Sequence, residues 1–393
     1  MVKTGDPRYT GDHRRADRKT QMQSLLFVTG TRADFGKLEP LASAARDAGF
    51  DVSFFVTGMH LMERYGLTKL EVQKTPGIVS YEFMNQRAGD PQDTILAKTV
   101  LGFSDFVAEQ KPDLVIVHGD RVEALACALV CATNYVRCAH IEGGEVSGTI
   151  DEIFRHCNSK LANYHFVSSE NAGKRVQALG EPADSIYVIG SPELDFHSKP
   201  SGVTLEEVNA RYDIGFDDYG ICVFHPVTSE ADQMGAQARA LYGQLQASGK
   251  NFVLILPNND PGSEAIFDII NALPSDQFRA IPSMRFAHFS ELMKNASVMV
   301  GNSSAGVREV PFLGVPSLDV GSRQTNRAQA PSVHNAAATD ETAIREFLTN
   351  QWGKRYEPHT AFGEGNATER FVTTLQNPEF WQSGLQKEFV DAV

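Results

Sequence analysis

From Ser24 onward the chain alternates short, near-continuous apolar runs with longer amphipathic stretches, and this rhythm narrows the possible folds sharply. LLFVTG, DVSFFVTG, DLVIVHGD, VRCAHIEGG, YHFVSS and SIYVIGSP each read as a short strand ending in Gly or a small polar residue. Segments of helical length lie between them at 36–48, 92–110, 121–133, 151–163 and 170–179. Strands that are apolar throughout are buried on both faces, which predicts a parallel sheet covered by helices on each side. The rhythm pauses at 196–203 (FHSKPSGV), where Pro, Gly and Ser suit a linker. It restarts with YGICVFHP, KNFVLILPNND, FRAIPS, ASVMVGNSS and VPSLDVG, with helical stretches at 230–248, 263–273, 287–296 and 305–314. The expectation is an α/β protein of two consecutive Rossmann-like doubly wound domains, 24–197 and 198–370. A chain of 393 residues has room for two such cores.

Charge and composition exclude several classes. Lys+Arg 36 against Asp+Glu 49 gives a net charge of −13. An acidic chain argues against a nucleic-acid partner, which would call for a basic face. A small anionic ligand needs only a few well-placed Arg and Lys and stays open. No apolar run approaches the ~20 residues of a membrane-spanning helix. Residues 1–23 are polar and basic without an apolar stretch, so they read as a solvated tail and not as a secretory signal. The cysteines at 127, 131, 138, 157 and 222 show neither CxxC nor Cys/His zinc spacing. Reduced, mostly buried thiols, a cytoplasmic setting and no catalytic metal are the expectation.

Ligands of doubly wound sheets bind beyond the carboxyl ends of the strands, so the residues after each apolar run are where chemistry is sought. GTRADFGKL (30–38) is neither GxGxxG nor a P-loop, which leaves a dinucleotide cofactor without support. Arg32 and Lys37 there suit a phosphate at a helix N-terminus, solvated turn charges being the plainer alternative. GNSSAGVRE (301–309) offers Ser303 and Ser304 with glycines where a strand turns into a helix, a good cradle for a pyrophosphate. Glu309 in the same helix could accept two ribose hydroxyls. The plainer reading is a Ser N-cap and a solvated Glu.

Three acids stand out in the first half: Asp120 in HGD and Glu142 in HIEGGE directly after apolar runs, and Asp151 in GTIDE at the start of the next helix. Carboxylates crowded at one cleft edge suit proton abstraction and return, since burial and mutual repulsion spread their pKa values. An Asp before RVEALACALV also suits a helix N-cap, the plain alternative for Asp120. Arg121, His225, Arg323 and the Asn258 and Asp260 of PNND follow other apolar runs, and Arg155 and His156 lie in the helical stretch that Asp151 opens. No GxSxG elbow supports a serine hydrolase.

Together these loops resemble the hydrolysing UDP-N-acetylglucosamine (UDP-GlcNAc) 2-epimerases of sialic acid biosynthesis, of the bacterial capsule type. The matching segments are TGTRADFGKLEPL, FVTGMHLMERYGLT, HGDRVEALA, HIEGGEVSGTIDEIFRHCNSKLA, VIGSPELD, HPVTSE, PNND and GNSSAGVREVP through GVPSLDVGSRQTNR, in the family's order. HIEGGEVSGTID is the specific one, because non-hydrolysing relatives typically carry HVEAGLR-like residues there. The resemblance implies a GT-B-like fold with the active site in the cleft between the domains. It implies UDP mainly on the second domain, and a C-terminal helical segment (371–393) crossing back to the first. It implies elimination of UDP to 2-acetamidoglucal, then hydration to N-acetylmannosamine, with no cofactor. Asp120, Glu142 and Asp151 match the family's essential acids. Arg32, Lys37, His225, Asn258, Ser303, Ser304, Glu309 and Arg323 match its nucleotide side. The partner is a UDP-sugar, and a homodimer or homotetramer is the expected assembly. Hydrolysing relatives acting on UDP-2,4-diacetamido-trideoxyglucose, and non-hydrolysing epimerases, are the alternatives.

Overall fold

The computed structural model describes residues 22–87, 89–147, 151–257, 261–325 and 330–391. The tail up to residue 21, and Asn258 and Asp260 of the expected nucleotide side, lie outside the described residues. The first half runs β1 (Ser24–Thr29), α1 (Arg32–Asp47), β2 (Asp51–Val56), α2 (Lys69–Val72), β3 (Val79–Glu82), α3 (Gln92–Gln110) and β4 (Leu114–His118). It continues with α4 (Val122–Thr133), β5 (Cys138–Ile141), α5 (Asp151–Leu161), β6 (Tyr164–Val167), α6 (Glu170–Ala178), β7 (Ile186–Val188) and α7 (Pro192–His197). The second half runs α8 (Leu205–Tyr212), β8 (Gly220–Val223), α9 (Met234–Ala247), β9 (Phe252–Ile255), α10 (Ser263–Asn271), β10 (Phe278–Ile281) and α11 (Phe286–Asn295). After these come β11 (Val298–Gly301), α12 (Ser304–Phe312), β12 (Ser317–Val320), β13 (Val333–Ala336), α13 (Glu341–Gln351) and α14 (Ala367–Gln376).

The strands form two parallel sheets, a 7-stranded one in the order β3-β2-β1-β4-β5-β6-β7 and a 6-stranded one in the order β10-β9-β8-β11-β12-β13. Both orders reverse direction beside the first strand of the half, between β1 and β4 and between β8 and β11. Such a reversal leaves a crevice at the carboxyl edge, because neighbouring loops there turn to opposite faces of the sheet. Leu26, Phe27, Phe55, Val115, Ile116 and Phe166 of the first sheet and Ile221, Val253, Leu254 and Val300 of the second are 2% exposed or less. The two α/β layers predicted from the alternation are therefore both present.

The structure departs from the sequence reading in a few elements. Helix α1 begins at Arg32, ahead of the predicted 36, because Thr31 caps it in a reciprocal box with Asp34. The stretch expected as one helix from 230 is a 3-10 turn, Thr228–Gln233, followed by α9. Phe196 and His197, expected in the linker, close α7, whose first residue is Pro192. Both pack on the second half: the Phe196 ring meets Phe286, and His197 hydrogen-bonds Ser290. Asp195 of α7 accepts from the backbone N–H groups of Ala367 and Thr368 at 2.7 and 2.6 Å, capping α14 from another part of the chain. Phe371 of α14 and Phe380 beyond it then lie in the core of the first sheet, against Phe27, Phe166 and Tyr164.

Candidate functional site

The carboxyl edges of the two sheets face each other. Arg32 at the start of α1 donates to Ser283, beyond β10, at 3.0 Å, and Arg308 of α12 reaches Glu142, beyond β5. Between these contacts lie most of the polar loops singled out from the sequence.

On the first sheet, β4 and β5 pair with His118 beside Ile141, which brings the HGD and HIEGGE turns together. The Gly119 carbonyl, in the left-handed turn between them, accepts from Asn158 at 3.0 Å and from His140 Nε2 at 2.8 Å. A carbonyl can only accept, so His140 carries its proton on Nε2 and takes the Ser159 hydroxyl on Nδ1. Burial pushes the His140 pKa down to about 3, so the ring is neutral and serves as a fixed strut. Asp120 accepts from Arg155, a buried residue of α5 that also donates to the Glu145 carbonyl. Asp151 lies one turn before Arg155 on the same face of α5, which puts it on the Asp120 side of that helix.

Glu142 is 3% exposed and has a positive φ of 62°. Its Oε2 accepts from Lys37 at 2.9 Å, His118 at 3.1 Å and Arg308 at 3.0 Å, and its Oε1 from Ser191 at 2.6 Å and again from Arg308. Burial alone would raise this carboxyl's pKa. The charges of Arg308 and Lys37 and the bond from His118 outweigh it and hold the group well below the ordinary carboxylate range. Glu193 of α7 is 1% exposed and stands 3.4 Å from Lys37 and 3.2 Å from Arg308.

On the second sheet, Asn302 ties the two strands at the reversal together. Its amide donates to the His225 carbonyl and its oxygen accepts the His225 N–H, both at 2.7 Å. The Asn302 carbonyl accepts from Arg323 at 3.2 Å and Gln324 at 2.9 Å. Burial, then the nearby Arg323 charge, lowers the His225 pKa to about 3, so this ring too is neutral. Gly301 has a φ of 131°, and a side chain there would collide with the Val223 carbonyl, which explains the glycine at this crossing. Ser303 caps α12 by accepting from Ala305 N, while Ser304 opens the helix.

Several plain alternatives fail. Asp120 does not cap α4: Arg121 occupies the cap position, with its Nε 3.6 Å from Glu123. Glu309 is not a solvated helix charge, since it is buried and accepts from His197 at 3.0 Å. Burial would raise its pKa, and the bond from His197 more than offsets that. Arg32 divides its guanidinium between Ser283 across the cleft and Glu71 at 2.8 Å, while His156 stands apart, 3.6 Å from Glu152 of its own helix. Sequence reasoning passed over His118, Ser191, Glu193, His197, Asn302 and Arg308. His118 in HGD, Ser191 and Glu193 in VIGSPELD, and Asn302 and Arg308 in GNSSAGVRE stood inside segments already singled out, whereas His197 carried no signal.

The model of the family described as UDP-N-acetylglucosamine 2-epimerase matches residues 42–376. The chain belongs to that family. Among its UDP-GlcNAc 2-epimerase relatives, the one from Neisseria meningitidis serogroup B is 44% identical, covering 94% of this chain and 99% of its own. The UDP-N,N'-diacetylbacillosamine 2-epimerase (hydrolyzing) of Legionella pneumophila is 33% identical, covering 90% and 96%. The crystal structure of a Neisseria meningitidis UDP-GlcNAc 2-epimerase bound to UDP-GlcNAc is 20% identical, with a TM-score of 0.77 over 90% of this chain and 99% of that one. That likeness is one of fold, two parallel-sheet α/β domains of GT-B type. This chain is thus an enzyme of the UDP-GlcNAc 2-epimerase family. Among the described residues no helix is long and apolar enough to cross a membrane.

Proposed function

We propose that the enzyme is a hydrolysing UDP-GlcNAc 2-epimerase, converting UDP-GlcNAc and water to N-acetylmannosamine and UDP. The observation that carries this reading is the pairing of Asp120 and Glu142 at adjacent strand ends of the first sheet, across the cleft from the α12 turn of the second. UDP sits on the second domain, its diphosphate at the Ser303–Ser304 turn, where backbone N–H groups and the helix dipole favour negative charge. The sugar faces the acids. A carboxylate removes the C2 proton as the C1–O bond breaks and UDP leaves with the bonding pair, giving 2-acetamidoglucal. Water then adds, its oxygen to C1 and a proton to C2 from the opposite face, which inverts C2. Asp120, Glu142 and Asp151 carry these proton transfers, and His140, Asn158 and Arg155 hold their loops in place. Support for hydrolysis over simple epimerisation comes from the HIEGGEVSGTID segment, with Asp151 nine positions after Glu142.

A second reading keeps the reaction and changes the sugar. It is favoured by the 33% identical Legionella relative, named for a UDP-N,N'-diacetylbacillosamine. Incubation with each UDP-sugar in D₂O tests both. UDP plus free N-acetylmannosamine bearing deuterium at C2 is the expected product set from UDP-GlcNAc. A UDP-linked mannosamine product would overturn hydrolysis. Turnover of the diacetamido sugar alone would move the enzyme to the second reading.

A further inference from the structure

Among the described residues, the most deeply buried cation that the proposed chemistry does not use is Arg308. It is 1% exposed, it lies on α12 of the second half, and its polar partners Glu142, Glu193 and Ser191 all belong to the first half. Its Nη1 and Nη2 hold the two oxygens of Glu142 as a fork, and Nη2 also donates to Ser191. The guanidinium stands 5.2 Å from the Phe362 ring, where the chain returns from the second half to the first. Ser191 N donates to the Phe362 carbonyl at 2.7 Å, so both crossings of the chain meet this one side chain. A fork of this kind fixes a carboxylate's plane as well as its place, which a single-point ammonium cannot do.

We propose that Arg308 is a positioning residue that carries domain closure to the acid, aiming the Glu142 carboxylate only while the two halves are together. The proposal rests on the hydrolysing-epimerase reading. Among the described residues, the groups around Glu142 are Lys37 from α1, His118 from β4, with Asp34 at 4.0 Å behind it, the neutral His140 of β5, Ser191 and Glu193 at α7, and Arg308 from α12. Of the four donors only Arg308 belongs to the second half, so only its hold depends on closure. Lys37 and His118 on one oxygen and Ser191 on the other stay with Glu142 when the domains part; closure adds the one planar donor that spans both oxygens and so sets the plane of the carboxylate. The Arg308 charge is the largest of the influences that hold Glu142 below the ordinary carboxylate range.

The test compares Arg308→Gln and Arg308→Lys with wild type by kcat against pH and by UDP affinity. Misaiming of an acid–base group by about an ångström costs on the order of 10²-fold in rate, so kcat of Arg308→Gln falls by about that factor. Its acid limb moves to higher pH, because Glu142 has lost its strongest counter-charge, and UDP affinity stays within about threefold because the diphosphate turn is untouched. Arg308→Lys restores part of kcat and returns the limb toward wild type. Unchanged kcat in Arg308→Gln overturns the proposal, as does a lowered kcat with an unmoved acid limb, which a merely structural role would give. Should Arg308→Gln fail to fold, Arg308→Lys decides alone: kcat and limb equal to wild type overturn the proposal. Wild type that turns over neither UDP-sugar overturns the functional reading itself, and the inference with it.

Discussion

Glu142 takes hydrogen bonds from α1, β4, the α7 turn and α12, while Asp120 is held by α5 alone. Two acids anchored so differently have different consequences when neutralised. Asp120→Asn and Glu142→Gln should each lower kcat by about 10²-fold or more with UDP affinity nearly intact, since proton transfer is lost and nucleotide binding is not. Calorimetry with UDP beside product assays checks this, and parallel losses in kcat and UDP affinity would place the acids on the nucleotide instead. Glu142→Gln should in addition lower stability, because it leaves Arg308 without its fork partner, whereas Asp120→Asn should not match that loss.

A second buried acid ties pH to stability. Burial would raise the Glu181 pKa, yet bonds from His165, Lys387 and Lys160 bring it down to about 2 from an ordinary 4.5. A carboxyl with a lowered folded pKa binds its proton more readily when unfolded. Its stabilising contribution is therefore complete above about pH 4.5 and drains away as pH falls toward 2. His165 works in the same direction: burial lowers its pKa, so the unfolded chain takes up that proton first. Urea midpoints of wild type should exceed those of Glu181→Gln near neutrality, and the gap should narrow from about pH 5 to pH 3. A gap that stays constant across that range would refute the assignment.

At the scale of elements, glycine turns set the positions of the acids. Gly144 has a φ of 75°, and a side chain there would run into the Ala172 carbonyl of α6. Gly143 is as tightly placed, 2.7 Å from Ser159 Oγ for an added Cβ. Gly144→Ala should cost at least about 1–3 kcal/mol from the backbone alone and reduce kcat by displacing Glu142. Gly243, on the exposed side of α9, meets nothing within 4 Å, so Gly243→Ala should stabilise by about 0.5–1 kcal/mol. Thermal unfolding of the pair checks both, and equal effects would contradict the contrast. The sequence disclosed these elements unevenly. The central strands were legible because burial on both faces leaves an unbroken apolar run. VSYE (β3) and VHNA (β13) close the outer ends of their sheets, are buried on neither face throughout, and are covered by none of the predicted strands. Asp120 and Glu142 were legible as charges placed directly after apolar runs, and Asp151 as the acid that opens the next helix. The roles of Arg308, Glu193 and His197 were not, because a lone charge inside a helix looks solvated until the other half of the chain is known to cover it.

At the scale of the molecule, the two halves are not two independent folding units in sequence order. Asp195 caps α14, and α14 with the turn after it delivers Phe371, Leu375 and Phe380 into the core of the first sheet. Phe371 is fully buried, its ring 4.8 Å from Phe166 and 6.2 Å from Phe27. The second sheet is built from residues 220–336 and its two core clusters contain none of these aromatics. The first half thus depends on residues that follow the whole of the second, and long-range closure of this kind is slow to form and is lost early. Phe371→Ala should cost about 3–5 kcal/mol, the usual range for emptying a buried aromatic site. That loss should fall on one half only. In hydrogen exchange, the amides of β1 and β6 in Phe371→Ala should lose protection while those of β8 and β11 keep theirs. Uniform loss across both sheets would mean that the halves unfold as one unit, and unchanged protection in β1 would mean that α14 contributes little to the first core.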